Sequence, residues 1–246
     1  MILASLLFLA WGSYLNSLAY RLLNEQYFFK TRSFCPSCHT TISWYDNIPV
    51  ISWFFLQAQC RFCKQSISPL YPFIEIITPL SLLCLYFTVQ PIYFPIYFLF
   101  FSALIVSIRT DLQSMLISRY VTLYAIPLSL IAAYFHRLPI SLTTALLGAI
   151  FGYTLLLIVQ SISFYLTNQE CLGQGDLELL AFIGSCTGPL GCWFSVLIGS
   201  TVGSCIMILY MLWINKKISL IPFGTFLSFG AIIYVLYEQS FLLYFT

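Results

Sequence analysis

Apolar residues run in long blocks along this chain, and the polar positions fall between them. Blocks that approach the length of a bilayer crossing recur at roughly 1–23, 73–89, 91–108, 119–135, 140–166, 178–190, 191–214 and 223–245. A span needs about 20 residues, within a range of about 17–25. The pattern predicts an all-α polytopic membrane protein with about eight transmembrane helices. The block 178–190 is short, and only Gly188-Pro189 divides it from the next, so seven spans is the other solution. One sizeable polar segment, 24–72, carries Pro36, Asp46-Asn47, Pro49 and Pro69 among aromatics and reads as a compact insert. The expected organisation is a first transmembrane helix at 1–23, a loop insert at 24–72 and a membrane core at 73–246. No internal repeat or second soluble domain is evident.

Composition sharpens this. The 246 residues are 60% hydrophobic and only 7% charged, whereas a soluble domain carries roughly 25% charged residues. The solvent expected for this chain is the lipid bilayer. A net charge of +2 is too small to suggest a nucleic-acid partner. The stretch Met1–Tyr20 meets its first positive charge, Arg21, only after the apolar run. A cleaved signal peptide has its basic region first, so this segment is expected to be a retained helix.

Charge placement predicts orientation. With the N-terminus outside and spans alternating, the inside segments hold Arg21, Lys30, Arg32, Arg61, Lys64, Arg109, Arg119, Lys216 and Lys217, leaving Arg137 outside. Cytoplasmic loops are enriched in Lys and Arg, so the polar insert, Asp111 and Asp176 are all expected at the cytoplasmic face.

Four of the nine cysteines sit in the insert as two pairs, Cys35-Pro36-Ser37-Cys38 and Cys60-Arg61-Phe62-Cys63, separated by 21 residues. Two such knuckles close around a tetrahedral zinc, which supplies folding energy that a short insert lacks. A cytoplasmic location disfavours disulfides; redox or unbound thiols are the alternative. His39 follows Cys38, but four thiolates fill the shell, so it reads as a solvated loop residue. Cys84, Cys171, Cys186, Cys192 and Cys205 lie in or beside apolar blocks, where cysteine behaves as a small hydrophobe.

Only eight acidic residues occur. Asp111 and Asp176 both fall where a predicted span meets the cytoplasm. An ionisable group at membrane depth is costly and points to function. Two carboxylates brought together cannot both ionise easily; one keeps a proton while the other acts as base on a water. Aspartic peptidases use this chemistry. Asp176 closes Gly173-Gln174-Gly175-Asp176, where Gly173 and Gly175 permit a tight turn and leave room for a substrate strand. Asp is also a favoured N-cap, so capping is the competing reading for Asp176.

These residues resemble the bifunctional type IV prepilin leader peptidase/N-methyltransferase family nearly end to end. The first helix carries Gly12-Ser13-Tyr14-Leu15-Asn16 and Tyr20-Arg21. The insert carries the first cysteine pair, Ile42-Ser43-Trp44-Tyr45-Asp46-Asn47-Ile48-Pro49, Ser52-Trp53, the second pair and Ile67-Ser68. Tyr71-Pro72 and Glu75, Asp111-Leu112 with Ile117, the Gly-x-Gly-Asp motif and Ile221-Pro222-Phe223-Gly224 follow in order. The resemblance implies cleavage of leaders from prepilins or pseudopilins at the cytoplasmic side of the bacterial inner membrane. It also implies N-methylation of the new N-terminal residue from S-adenosylmethionine. Three positions depart from the family pattern. Ile117-Ser118-Arg119 stands for Ile-Pro-Asp/Asn, Glu178 stands for a Lys, and Ala58-Gln59 stands for Gly followed by a basic residue. The last site is associated with methylation.

Glu75 is expected to line the peptidase site or anchor the insert, with helix-start dipole stabilisation as the simpler role. Arg109 reads as a positive-inside anchor that also lies near Asp111. His136 reads as a surface loop residue. Other readings remain: a presenilin-like aspartic peptidase, which lacks a place for the cysteine insert; a transporter with a carboxylate relay, which predicts acids at the midplane; and a non-catalytic zinc scaffold.

Overall fold

The computed structural model describes residues 2–24, 33–169, 172–214 and 221–245. Lys30, Arg32, Cys171, Lys216 and Lys217, named above, lie outside them. Two compact units form, Met1–Phe87 and Thr88–Thr246. Among the described residues the regular structure is helical; the only extended pairing is two isolated antiparallel bridges, Phe34 with Thr41 and Gln59 with Ser66.

The first unit packs helix α1 (Ile2–Leu23) on α3 (Leu70–Thr88), with a short α2 (Ile51–Phe55) in the insert. Gly12 allows the close approach: a Cβ there would stand 3.1 Å from Thr78 Cβ and 3.3 Å from Glu75 Cα. Asn16 donates from Nδ2 to the Tyr71 carbonyl at 3.0 Å. The first-helix motif therefore locks α1 to the start of α3.

The second unit contains α4 (Phe94–Ser114), α5 (Ile126–Tyr134), α6 (Leu142–Thr167), α7 (Gln174–Ile214) and α8 (Phe223–Phe245). Phe101, Leu104, Ile105 and Ile108 of α4 are fully buried in its core. Helices α6 and α7 meet through small residues: a Cβ at Gly148 would overlap the Gly184 carbonyl, and one at Gly152 the Leu180 carbonyl. In lipid, close backbone approach through small residues substitutes for the missing hydrophobic drive between helices. Bulky side chains such as Leu147, Ile150, Leu209 and Trp213 cover the exterior, as a lipid-facing surface requires.

Three boundaries differ from the hydropathy blocks. Helix α4 continues past residue 108 to Ser114 and ends where Met115 turns to φ 54°. The block 119–135 is helical over only Ile126–Tyr134, with Pro127 in its first turn, after an irregular stretch and a 3-10 turn at Leu123–Ala125. Apolarity alone does not reveal such a break. The blocks 178–190 and 191–214 run on without an intervening loop, but Gly188 at φ 75° and ψ −177° breaks the helix just before Pro189. Glycine adopts this conformation without a Cβ clash, and proline cannot donate back into the preceding turn. Among the described residues, four helices are long and apolar enough to cross a membrane: Leu70–Thr88, Phe94–Ser114, Leu142–Thr167 and Gln174–Trp213. Leu123–Tyr134 and Phe223–Glu238 are apolar but shorter.

Candidate functional site

Asp111 occupies the last turn of α4, and Asp176 the first turn of α7. The start of α8 comes between them: a methyl on Gly224 would lie 3.1 Å from Asp176 Oδ1 and 3.3 Å from Asp111 Oδ2. One added carbon would touch both carboxylates, so the two acids face one small space, and the charge of Asp111 acts on Asp176. Asp111 is 4% exposed. Its Oδ2 accepts from the Thr225 backbone N–H at 2.6 Å and from the Thr225 hydroxyl at 2.8 Å. Thr225 was not among the residues singled out from the sequence. Its signal was its place after the Pro-Phe-Gly run at a helix start, where backbone N–H groups lack intrahelical partners.

Ile117 joins the two acidic segments. It would meet a Cβ on Gly175 at 3.0 Å and also packs on Gly224. Gly175 and Gly224 thus leave room for Ile117, and Gly224 also for the acids, while Gly173 lies next to Asp176 Oδ2. The Asp176 backbone N–H closes the turn on the Gly173 carbonyl at 3.1 Å. Asp176 therefore stands inside the first turn of α7 rather than at the N-cap, with its carboxylate close to Asp111.

Two of the departures from the family pattern meet in space. Arg119 Nε lies 3.1 Å from Glu178 Oε1, with side-chain exposures of 59% and 5%. Both departures therefore serve one ion pair in this chain. Glu178 Oε2 has no hydrogen-bond partner, and the residue borders a cavity of about 300 Å³ lined by Leu123, Ile126, Ile150 and Tyr153. Arg109 is buried and donates to Gln113 one turn on, so it is no exposed interfacial anchor. His136 is exposed in a loop at φ 54°.

In the first unit, Cys35, Cys38, Cys60 and Cys63 converge, with their Sγ atoms all within 4.8 Å of one another. Cys35 and Cys63 Sγ are 3.7 Å apart. A tetrahedron of thiolates with about 2.3 Å metal–sulfur bonds has edges of about 3.8 Å, so the donor set fits zinc. The two knuckles repeat one geometry. Cys35 N–H donates to Thr40 O and His39 N–H to Cys35 O; Cys60 N–H donates to Gln65 O and Lys64 N–H to Cys60 O. His39 and Lys64 take matching left-handed conformations, φ 56° and 58°. His39 is exposed and stacks on Phe34, outside the thiol cluster.

Two of the four thiols, Cys38 and Cys60, lean towards metal-binding ionisation. The Thr40 hydroxyl, 3.3 Å from Cys38 Sγ, lowers that thiol to about 6 together with the Thr40 backbone. Backbone N–H groups of Cys63 and Phe62 lower Cys60. For Cys63 the Gln65 backbone also lowers it, but desolvation and the neighbouring thiols prevail and push it up to about 11. Thiols this close resist joint ionisation unless a cation joins them.

The rest of the insert braces this centre. Arg61 forks onto both Asp46 oxygens at 2.8 and 2.6 Å, and its hydrogen bonds hold the Asp46 carboxyl below its ordinary range. Glu75 Oε2 accepts from the Val50 N–H at 2.7 Å, where Val50 is at φ 63°. Of its two expected roles, this geometry supplies the anchor for the insert. Ala58 stands at φ 57°, a conformation that suits glycine. Gln59 beside it is exposed.

Residues 6–89 match the Bacterial Peptidase A24 N-terminal domain, and residues 98–212 match the Type IV leader peptidase family. A leader peptide-processing enzyme for type 4 prepilin-like proteins from Escherichia coli O78:H11 is 32% identical over 82% of this chain and 74% of its own length. Prepilin leader peptidase/N-methyltransferases from Aeromonas hydrophila and Legionella pneumophila are 33% and 30% identical. They are matched over 85% and 94% of this chain and over 72% and 89% of their own lengths. No solved structure matches. With both segments matched in order and this identity sustained over most of the chain, the protein belongs to the type IV leader peptidase family.

Proposed function

We propose that this chain is an intramembrane aspartic endopeptidase that removes the leader from type IV prepilins or type II secretion pseudopilins, with Asp111 and Asp176 as the catalytic pair. The observation that carries the reading is the convergence of two scarce carboxylates on one glycine, Gly224. One carboxylate takes a proton from a water while the other gives its proton to the scissile carbonyl oxygen. The hydrated carbonyl then collapses, the C–N bond breaks, and the nitrogen leaves protonated. Gly173 keeps the approach to Asp176 open, Gly175 makes room for Ile117, and Glu75 anchors the insert.

The membrane arrangement belongs to the same proposal. The eight apolar segments cross or enter a bacterial inner membrane, with the insert and the acid pair at the cytoplasmic face. The functional division is first helix 1–23, zinc-binding loop 24–72 and peptidase core 73–246. Cys35, Cys38, Cys60 and Cys63 hold a structural zinc, which closes the insert and takes no part in the cleavage step. The chain also methylates the new N-terminal residue from S-adenosylmethionine, as the names of the Aeromonas and Legionella relatives suggest. Gln59 offers the carboxylate of that donor a neutral hydrogen bond where a basic residue would offer a charge-assisted one, so methylation is weaker than in relatives.

The deciding experiment co-expresses a prepilin with Asp111→Ala or Asp176→Ala. Members of a catalytic unit are non-additive, and losing either should cost about as much as losing both. Leader processing by either variant at normal membrane abundance would sink the reading. Mass spectrometry of the mature N-terminus tests methylation: partial modification is expected, while complete methylation refutes the claimed weakness and an unmodified terminus refutes the second activity.

A further inference from the structure

We propose that Thr225 is the positioning residue that divides labour within the carboxylate pair: it fixes Asp111 as the proton acceptor and leaves Asp176 to carry the proton. The inference rests on the peptidase reading and deepens it. Both Thr225 donors, the backbone N–H at 2.6 Å and the hydroxyl at 2.8 Å, converge on the same oxygen, Asp111 Oδ2. A backbone N–H only donates, so Oδ2 is held as an acceptor. Asp111 and Thr225 are 4% and 3% exposed, so bulk water competes little for these bonds. The N–H belongs to the opening turn of α8, where the helix dipole adds positive potential.

The surrounding charges leave the choice to these bonds. From α7 the titratable group facing Asp111 is Asp176. From α8 the facing residues are Gly224 and Thr225, both uncharged, and Ile117 packs on Gly224 from the loop after α4. On α4 itself, Arg109 donates to Gln113. Asp176 lies in the first turn of α7, where the helix terminus and one Gly173 backbone hydrogen bond favour its negative charge too. Asp111 holds two short charge-assisted hydrogen bonds on one oxygen, from a backbone N–H that is itself at a helix start and from the hydroxyl of the same residue, and the ionised state settles on Asp111.

The step balances. Water oxygen bonds to the scissile carbonyl carbon as Asp111 takes a water proton and Asp176 gives its proton to the carbonyl oxygen. On collapse the C–N bond breaks, Asp111 gives its proton to the leaving nitrogen, and Asp176 regains one from a hydroxyl of the hydrate as the carbonyl re-forms.

The test uses full-length protein in lipid nanodiscs cleaving a purified prepilin across pH. Thr225→Val removes the hydroxyl and keeps the backbone donor. It is expected to lower kcat about tenfold, the worth of one such hydrogen bond, with KM within about twofold. It is also expected to move the acid limb of the profile towards neutral pH, because the hydroxyl no longer favours the ionised carboxylate. Thr225→Ser keeps the hydroxyl and is expected to restore both. Unchanged kcat and acid limb in T225V would overturn the proposal; so would equal loss in T225S, or a shift confined to the alkaline limb. If T225V accumulates poorly, Thr225→Ala compared with T225S at equal abundance gives the same decision. Failure here with Asp111→Ala and Asp176→Ala both inactive defeats the division of labour alone; cleavage by those variants defeats the peptidase reading.

Discussion

The Arg119–Glu178 ion pair makes an asymmetric prediction. Glu178 is buried, one of its oxygens has no partner and the other faces Arg119, which is itself more than half exposed. Arg119→Gln strands a buried carboxylate, whereas Glu178→Gln leaves an arginine that turns to water. Breaking a fully buried pair costs about 3–5 kcal/mol, because the survivor is left uncompensated. A surface pair is worth about 0–1 kcal/mol. Discounted for the exposure of Arg119, R119Q is expected to destabilise by about 1–3 kcal/mol, and E178Q by less than about 1 kcal/mol. The double reversal, Arg119→Glu with Glu178→Arg, is expected to recover most of what R119Q loses, with a coupling energy above about 0.5 kcal/mol. Thermal unfolding in nanodiscs measures the stability, and leader cleavage at saturating prepilin reports whether the acid pair is disturbed. Equal effects of R119Q and E178Q, or additivity in the double reversal, would refute the reasoning.

Gly224→Ala is expected to abolish cleavage by at least about 100-fold, since an ångström-scale displacement at a reacting pair has that cost; normal turnover in a well-folded G224A would show that the acids do not close over this glycine. Metal analysis is expected to find about one zinc per chain, and its retention in Cys35→Ser/Cys60→Ser would exclude the four-thiolate centre. Ala58→Gly is expected to stabilise the insert by about 0.5–1 kcal/mol, because alanine is strained in the left-handed region; a lower melting temperature would contradict this. Asp46 is held below its ordinary value by Arg61, so its contribution is present above the usual carboxylate pKa and is lost as pH falls through the depressed one. Asp46→Asn is therefore expected to cost stability at neutral pH and to lose that difference in strong acid, and a cost independent of pH would refute the pairing.

The parts legible in the sequence were those encoded by scarcity or by local spacing. Asp111 and Asp176 stood out because acids are rare in a chain meant for lipid, and the structure brings them together. The cysteine pairs were legible because a knuckle is a local turn: Cys35 to Thr40 and Cys60 to Gln65 each close within six residues. The break at Gly188-Pro189 was legible because two residue types announce it. The block 119–135 misled because hydropathy registers apolar side chains and not backbone state: Met115 leaves α4 left-handed, and the helix resumes only at Ile126.

What stayed hidden is long-range and pairwise. Thr225 reaches Asp111 across 114 residues, and no local pattern marks a threonine at a helix start as the partner of a distant acid. Arg119 and Glu178 each looked like damage to a motif when read singly, because a motif records residue types position by position while the physics acts on the pair. The same distinction separates the neighbours Ala58 and Gln59. Position 58 answers to φ, so alanine there costs conformational strain and nothing in charge. Position 59 answers to what its exposed side chain meets. A departure from a family pattern thus bears on function when it changes a side chain that faces a ligand. It is a stability matter when only the backbone conformation is at stake, as at Ala58.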